Sequence, residues 1–392
     1  MRKGAGYLAA LALVAGAFAL GFFLTQTESG ASQSAPPVQA ERPLRLIDEI
    51  RAELTSAYYR WIEPAVLERA TVDGILAGLD DPHTELLTTA EYESLQEHTQ
   101  GTYSGIGLTV GPARKGLLVT AVADGPAADA GVHKGDLITR INGEPVGKLA
   151  FESALALIKG HRGTLVRLTV KRPGKKKPLD VTVVRREIEV PPLTARLIST
   201  KKDKVGYIRI FSFSAGAGAE IEEATADLVE KGATGVVFDL RDNPGGLLSE
   251  AVNAASVFIE DGLVVRTDGL HEEEHEYSVT GTSTQPELPL VVLVNGGSAS
   301  AAEIVAGALV DHDRATLVGQ RTFGKASVQT IAPLQGGGAL KLTTAKYLTP
   351  AGADITNLGL EPSVVAADDP TTRPDEALKI ARRTLVETLR SV

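Results

Sequence analysis

A serine and a lysine 25 positions apart could together perform nucleophilic catalysis. Ser300 lies in residues 295–303 (Asn-Gly-Gly-Ser-Ala-Ser-Ala-Ala-Glu), Lys325 lies in residues 322–329 (Thr-Phe-Gly-Lys-Ala-Ser-Val-Gln), and each follows an apolar run. A serine hydroxyl is a poor nucleophile at neutral pH and needs a neighbouring base, which in Ser-Lys hydrolases is an amine kept neutral by burial. To act as this base, Lys325 needs a pKa lowered from about 10.4 toward neutrality.

Two glycine-bearing junctions accompany the serine. Residues 239–246 (Asp-Leu-Arg-Asp-Asn-Pro-Gly-Gly) follow one apolar run, residues 295–300 follow another, and both precede helix-like segments. The first N–H groups of a helix have no partner inside it, so they are free to bind a developing oxyanion. Ser300 is therefore expected near a helix N-terminus, beside the N–H of Ala301. Together these are the parts of an acyl-transfer site.

The elements that must position these residues begin at Val205, where apolar β-branched runs alternate with helical segments. Predicted strands cover 205–210, 235–240, 290–294 and 315–319, and predicted helices cover 217–230, 247–259 and 299–310. This alternation predicts an α/β domain whose sheet is covered on its faces and joined by crossover connections. A closing helix is expected over 374–389, with acidic residues in its first turn.

Residues 101–187 predict a small, mostly β module with one helix at 151–159. Its opening Tyr-Ser-Gly-Ile-Gly-Leu segment (103–108) and residues 125–143 resemble a PDZ domain. Glycines at 105 and 107 allow successive N–H groups to converge on one point, as in a nest for a terminal carboxylate, although a plain tight turn is the alternative. The resemblance implies that the helix walls a side-chain pocket and that four residues bind the substrate's C-terminus: Gly105, Ile106, Gly107 and Leu108.

Residues 44–365 as a whole resemble the carboxyl-terminal processing peptidases, also called tail-specific proteases, which place a PDZ domain inside a Ser-Lys peptidase. Five motifs match in the family's order. They are an entry segment at 80–92 (beginning Asp-Asp-Pro-His-Thr), the PDZ glycines, Asn-Pro-Gly-Gly at 243–246, Ser-Ala-Ser-Ala-Ala-Glu at 298–303, and the lysine segment at 322–329.

The resemblance implies a role for each matching side chain. The family's lysine follows its serine by 25 residues, which makes Ser300 the nucleophile in preference to the nearby Ser298. Lys325 is then the base that takes the serine proton. Gln329, four residues beyond the lysine, orients the amine.

The resemblance also implies the remaining components of the site. The oxyanion donors are the N–H groups of Gly245 and Ala301, with Gly246 as the alternative to Gly245. No metal or other cofactor is implied. The substrates are unfolded or tagged proteins with free C-termini, the PDZ domain gates the active site, and an activating adaptor or a homo-oligomer is compatible with the family.

Composition and pattern divide the 392 residues into successive segments and exclude some functions. The net charge of −9 argues against a nucleic-acid partner, and the absence of cysteine excludes disulfides and thiol catalysis. The expected segments are a signal peptide or membrane anchor (1–24), a flexible linker (25–43), a helical segment (44–100), a PDZ domain (101–187), an α/β serine peptidase core (188–368) and a C-terminal helix (369–392).

The first segment has the pattern of an export signal. Arg2 and Lys3 precede residues 4–24, which carry no charge. A stretch of this length fits a bilayer span, but it also contains small-residue patterns typical of cleavage sites. The expected location is extracytoplasmic, in the periplasm or cell envelope, either anchored by residues 4–24 or secreted after cleavage.

Other motifs permit competing interpretations. Residues 271–275 (His-Glu-Glu-Glu-His) formally match a zinc-peptidase motif, which requires a helix, but strand-like runs flank them and favour a hairpin. Residues 319–325 nearly match a phosphate-binding loop, but Ala326 replaces the serine or threonine that would bind magnesium.

Two further alternatives concern the class of function. His312, between two aspartates at a predicted helix end, could belong to a Ser-His-Asp triad, although a histidine at a helix C-terminus is more often a surface residue. A non-catalytic PDZ scaffold for binding peptides is the other alternative. The intact Ser300, Lys325 and Gln329 favour the enzyme.

Overall fold

The computed structural model describes residues 45–199, 203–271, 274–281, 283–367 and 375–391. All of them belong to one unit, Leu44–Val392. The predicted leader (1–24) and linker (25–43) lie outside the described residues. Within the described ranges, no helix is long and apolar enough to cross a membrane.

The helices and strands of the described ranges follow in chain order. The helices are α1 (Leu46–Ala57), α2 (Pro64–Leu67), α3 (Val72–Leu79), α4 (Thr89–Gln100), α5 (Pro126–Asp129), α6 (Phe151–Ile158), α7 (Ala217–Glu230), α8 (Leu248–Ser256), α9 (Ala301–Asp311) and α10 (Glu376–Ser391). The strands are β1 (Glu85–Leu87), β2 (Thr102–Gly105), β3 (Leu108–Ala113), β4 (Gly116–Val122), β5 (Leu137–Ile141), β6 (Glu144–Pro145), β7 (Leu165–Lys171), β8 (Leu179–Val184), β9 (Arg186–Glu189), β10 (Leu193–Ser199), β11 (Lys204–Ile210), β12 (Val236–Asp239), β13 (Leu263–Asp268), β14 (His275–Ser278), β15 (Leu290–Val294), β16 (Thr316–Gly319), β17 (Ser327–Pro333), β18 (Ala339–Leu348) and β19 (Val364–Val365).

A six-stranded sheet in the order β10-β11-β12-β15-β16-β19 forms the centre of the α/β core. All neighbouring pairs are parallel except β10 with β11. Successive residues of its strands point to opposite faces, so Val236 and Phe238 belong to one apolar cluster with α8 and α9, whereas Val237 joins α10 in another. Because both faces are covered, every residue of the central strands β12 and β15 is buried. The predicted covered α/β fold is confirmed.

A second sheet closes one side of the core. Strands β1, β18, β13 and β14 are neighbours in that order, and β17 pairs with β18. Strand β18 contributes Leu340 and Leu342 to a cluster with Ile50 and Leu54 of α1, so the helical segment packs on this sheet. The antiparallel pairing of β13 with β14 agrees with the hairpin predicted around residues 271–275.

The PDZ domain is a sheet in the order β3-β4-β5-β7-β8, with its own apolar core and the helix α6. Strand β3 is at the edge of the sheet. Buried Asp136 accepts two hydrogen bonds of 2.8 Å from the Arg172 guanidinium, which fixes the turn before β5. Two short paired strands, β2 and β9, carry the chain into and out of this domain.

A buried ionic cluster ties the C-terminal helix to the central sheet. The Arg241 guanidinium donates a 2.7 Å hydrogen bond to each of Asp239, at the end of β12, and Asp375, which precedes α10. Asp239 is fully buried and also accepts a 2.7 Å bond from the Tyr207 hydroxyl. Removing the guanidinium would leave a buried carboxylate without its counter-charge.

We predict that Arg241→Ala lowers the free energy of unfolding by about 3–5 kcal/mol, because breaking one side of a buried ion pair leaves an uncompensated charge. Urea denaturation of the purified chain measures this. Lys231→Ala removes half of an exposed i,i+4 pair with Asp227 and should cost no more than about 0.5 kcal/mol. A loss for Arg241→Ala no larger than this control would contradict the prediction.

Candidate active site

Ser300 lies at the N-terminus of α9 and lines a cleft of about 440 Å³. Its backbone has φ 56° and ψ −120°, a conformation that a residue other than glycine adopts only under constraint and that is concentrated at functional sites. Ser298 differs in its burial and in its hydrogen bonding. It is fully buried, and its Oγ donates to the Leu240 carbonyl (2.7 Å) and accepts from the Asn295 N–H (3.1 Å). The Ser298 hydroxyl therefore holds the turn in place.

The two glycine junctions lie side by side because β12 and β15 are parallel neighbours, whose carboxyl ends meet at one edge of the sheet. The Asn295 side chain bonds the Asp242 backbone N–H (3.0 Å) and the Asp242 carboxylate (2.9 Å). The Ala299 N–H donates to the Asn243 carbonyl (3.0 Å). These bonds join the loop that carries Ser300 to the Asn-Pro-Gly-Gly loop.

Gly245 is held against the candidate nucleophile. A Cβ at this position would lie 2.7 Å from the Ser300 Cβ and 3.0 Å from the Ala301 nitrogen, so only glycine fits there. Its own N–H donates to the Asn243 side chain at 2.8 Å. The N–H groups of Gly246 and Ala301 have no hydrogen-bond partner among the described residues, and both residues line the cleft.

Lys325 precedes β17 and lines the same cleft as Ser300. Burial lowers its pKa, and the charge of nearby Lys341 lowers it further, while the carboxylates of Glu85 and Asp81 act in the opposite direction. The Lys341 ammonium is itself paired with Glu85 at 2.8 Å. The Lys325 amine is therefore biased toward its neutral form, the state in which it can accept a proton.

His83 belongs to the surroundings of Lys325, although the sequence patterns gave it no role. Burial lowers the pKa of the imidazole, and the neighbouring charge of Lys325 acts in the same direction. The backbone N–H of His83 donates to the Asp81 carboxylate at 2.9 Å, and Asp81 also accepts from the Thr84 hydroxyl at 2.7 Å. A largely neutral ring beside Lys325 adds no charge that would oppose the binding of the serine proton.

Glu303 connects the two catalytic segments. It is fully buried, and Oε2 accepts from the backbone N–H groups of Ser300 (3.0 Å) and Lys325 (2.9 Å). Oε1 accepts from the Thr322 hydroxyl (2.6 Å) and the Gly324 N–H (2.7 Å). One carboxylate thus fixes the backbone of the serine and of the lysine. The Ser-x-x-Glu spacing typical of a helix capping box was the sequence signal for its position next to Ser300.

Gln329 lies on β17, beside a bulge in the pairing with β18, and lines the cleft. Its side-chain amide donates to the Ser327 Oγ at 2.8 Å. The geometry therefore brings Ser300, Ala301, Lys325, Gln329 and the two glycines to a single cleft, with Gln329 bonded to Ser327 in this state.

The helix α4 forms one wall of the cleft with Leu95, His98 and Thr99. The Thr99 carbonyl accepts from the Ala215 N–H at 2.9 Å, which joins the end of this helix to the core. The chain then continues directly into β2 and the PDZ domain. The wall of the cleft and the entry to the PDZ domain are thus one continuous segment.

The predicted binding site for a substrate's C-terminus lies in the PDZ domain. There, residues 105–108 line a pocket of about 260 Å³ together with Val110, Leu155 and Ile158. Gly107 has φ 76°, which turns the loop. The edge of β3 faces α6 across this pocket. A segment of extended peptide could add to that edge and direct its last side chain among the apolar residues.

The competing motifs lie elsewhere. His275 is on the strand β14, its ring 4.4 Å from that of Tyr277, and His271 is in a bend, so neither histidine is on a helix. His312 ends α9, about 18 Å from Ser300 at the usual rise of ~1.5 Å per residue, and bonds the Leu263 carbonyl. No group of metal-binding side chains occurs in the described ranges.

Comparison with known proteins agrees with this architecture. Residues 204–366 match peptidase family S41, and residues 104–183 match the PDZ domain family. The carboxy-terminal-processing protease of Bartonella bacilliformis is 38% identical over 300 residues, which cover 75% of this chain and 68% of that protein. The carboxyl-terminal-processing protease of Picosynechococcus sp. is 41% identical over 304 residues, 76% of this chain and 73% of that protein.

A solved structure shows the same arrangement. The photosystem II D1 C-terminal processing protease superimposes with a TM-score of 0.54 at 30% identity, over 86% of this chain and 96% of that one. The fold, the family matches and the identity to these relatives agree with each other. The chain therefore belongs to the carboxyl-terminal-processing proteases, the serine peptidases of family S41 that contain a PDZ domain.

Proposed function

We propose that the chain is an exported endopeptidase that binds the free C-terminus of a protein substrate at its PDZ domain and cleaves peptide bonds with Ser300 and Lys325. One observation carries the proposal. Ser300 is held in a constrained conformation at a helix N-terminus and shares a cleft with a lysine whose pKa burial lowers. A nucleophile and a base need that combination.

The proposed reaction begins with transfer of the Ser300 proton to the neutral Lys325 amine as Oγ attacks the scissile carbonyl. The resulting oxyanion accepts hydrogen bonds from Ala301 and from one glycine N–H. Gly245 is this donor if the hydrogen bond from its N–H to the Asn243 side chain breaks when substrate binds. The N–H of Gly246 can donate without rearrangement. Lys325 then protonates the leaving amine, and water hydrolyses the acyl-enzyme with Lys325 again as base. Gln329 orients the Lys325 amine once substrate displaces its bond to Ser327.

The location and partners belong to the same proposal. The basic start and uncharged stretch of residues 1–24 support export, after which the chain is either anchored or released. Substrates are unfolded or tagged proteins, since an extended segment must reach both the PDZ edge and the cleft. An activating adaptor and self-association are compatible with this function. The mechanism requires no metal.

The test of the dyad is the pH dependence of cleavage by residues 43–392 of an unfolded protein that ends in a free apolar carboxylate. We expect kcat to rise about tenfold per pH unit as Lys325 loses its proton, and to level off below the ordinary lysine pKa of 10.5. Lys325→Arg and Ser300→Ala should each abolish turnover, because a guanidinium stays protonated and alanine has no hydroxyl. A chelator should have no effect.

Other outcomes of this experiment distinguish the alternatives. Turnover retained in Ser300→Ala would assign the nucleophile to another residue. Cleavage lost on chelation would favour a metal peptidase. If no form cleaves but the peptide still binds, the chain is a peptide-binding scaffold or an enzyme that awaits an activating partner.

Glu303→Gln should lower kcat by roughly 100-fold while KM changes little, because an amide cannot accept all four hydrogen bonds and both catalytic segments shift. The exposed Glu222→Gln in α7 is the matched control and should keep full activity. The unfolding midpoint must be measured alongside. If the unfolded fraction of the variant accounts for the whole fall in kcat, Glu303 has a role in folding alone.

If the PDZ domain recognises a C-terminal carboxylate, two peptides with the same valine-ending sequence but different C-terminal groups should bind with different affinities. With the Ser300→Ala chain, the peptide with a free carboxylate should bind roughly 10- to 100-fold more tightly than its carboxamide, because hydrogen bonds to a charged acceptor are the stronger ones. Fluorescence anisotropy of labelled peptides measures both affinities. Equal affinities would contradict carboxylate recognition by residues 105–108.

A further inference from the structure

Tyr347 contacts the backbone of both catalytic segments, although the reaction described above gives it no role. It is buried on β18 and lines the cleft. Its hydroxyl donates to the Ser300 carbonyl at 3.3 Å. Its backbone N–H donates to the carbonyl of Ala326, the residue after Lys325, at 3.2 Å. One tyrosine therefore joins the segment that carries the serine to the segment that carries the lysine.

The bonds of Tyr347 are complementary to those of Glu303. The Glu303 carboxylate accepts from the N–H groups of Ser300 and Lys325. Tyr347 instead donates to the carbonyl groups of Ser300 and Ala326. The two side chains belong to different elements, α9 and β18, and both are buried. Both peptide groups next to the Ser300 Cα are therefore bonded to a buried side chain.

The backbone conformation of Ser300 needs such support. A residue other than glycine keeps φ 56° and ψ −120° only where the surrounding structure holds it. The Ser300 carbonyl also accepts from the N–H groups of Glu303 (2.8 Å) and Ile304 (3.0 Å), which are bonds of the first turn of α9. The Tyr347 hydroxyl is a donor from outside this helix, so it fixes the carbonyl relative to β18. Rotation of this peptide group would change the direction in which the Ser300 side chain leaves the backbone.

The Tyr347 hydroxyl keeps the proton that it donates. Burial raises the pKa of the phenol, and the nearby carboxylate of Glu303 raises it further. The pKa of Lys325 is lowered by burial, so the phenol stays neutral over the pH range in which the amine loses its proton. The contribution of Tyr347 to the site is therefore a fixed hydrogen bond that does not change with the charge of the base.

We propose that Tyr347 is a positioning residue for the nucleophile, whose hydroxyl keeps the Ser300 backbone in the orientation that directs Oγ toward the substrate carbonyl. It acts through the Ser300 backbone and exchanges no proton during the reaction. Because Ser300 is the nucleophile only under the proposed function, this role of Tyr347 rests on that function.

The experiment compares Tyr347→Phe with the unmodified chain in the cleavage assay used for the dyad. Phenylalanine keeps the ring in the core and removes only the hydroxyl. We expect kcat to fall about 3- to 10-fold, the value of one hydrogen bond, while KM and the unfolding midpoint change little. The pH at which kcat levels off should stay the same, because the charges around Lys325 are unchanged. Tyr277→Phe, which removes a hydroxyl from β14, is the matched control and should keep full activity.

The rate at which a small fluorophosphonate probe labels Ser300 gives a second measurement that needs no peptide substrate. This rate should fall in Tyr347→Phe by the same factor as kcat. The positioning role is contradicted if labelling and kcat are normal, if KM rises while kcat is unchanged, if the pH dependence of kcat shifts, or if the unfolded fraction accounts for the loss. If the probe does not label the unmodified chain, or labels Ser300→Ala equally well, the proposed function itself fails.

Discussion

The buried carboxylate of Glu303 makes the interactions on which the geometry of the candidate site depends. It accepts hydrogen bonds from the backbones of both Ser300 and Lys325, which belong to two separate loops. A charged acceptor with four donors is fully satisfied, so its burial is tolerated and the loops are held rigidly. Without this shared carboxylate, separate contacts would have to fix each loop. Because both loops bond to the same group, the serine and the lysine are held at a fixed position relative to each other.

The parallel sheet supplies the second constraint. Strands β12 and β15 end at the same edge, and the glycines that follow β12 allow its loop to approach Ser300 more closely than any side chain would permit. Asn243 and Asn295 then bond the two loops together through their side chains. The result is a set of amides next to the candidate nucleophile, in an environment shielded by α4 and β17.

The route between the two sites is short in sequence and continuous in space. Helix α4 lines the cleft, is capped by Gly101, and leads into β2, which ends at Gly105 in the pocket of the PDZ domain. Strand β2 pairs with β9. Among the described residues, these two strands alone connect the PDZ sheet to the α/β core along the chain. The PDZ pocket and the cleft are therefore connected by one continuous segment of the chain.

The sequence by itself determined the family, the order of the elements and the residue types of the site. The apolar periodicity of residues 205–319 predicted the covered sheet because each strand and helix has a local pattern, and the resemblance to the family, with its 25-residue interval, predicted Ser300 and Lys325 as the catalytic pair. The tertiary structure decided which groups meet. His83, Lys341 and Glu303 contribute to the surroundings of Lys325 from three other segments of the chain, and the parallel pairing of β12 with β15 brings Gly245 against Ser300. Such contacts depend on strand register, loop geometry and packing across the whole chain, which no local pattern encodes.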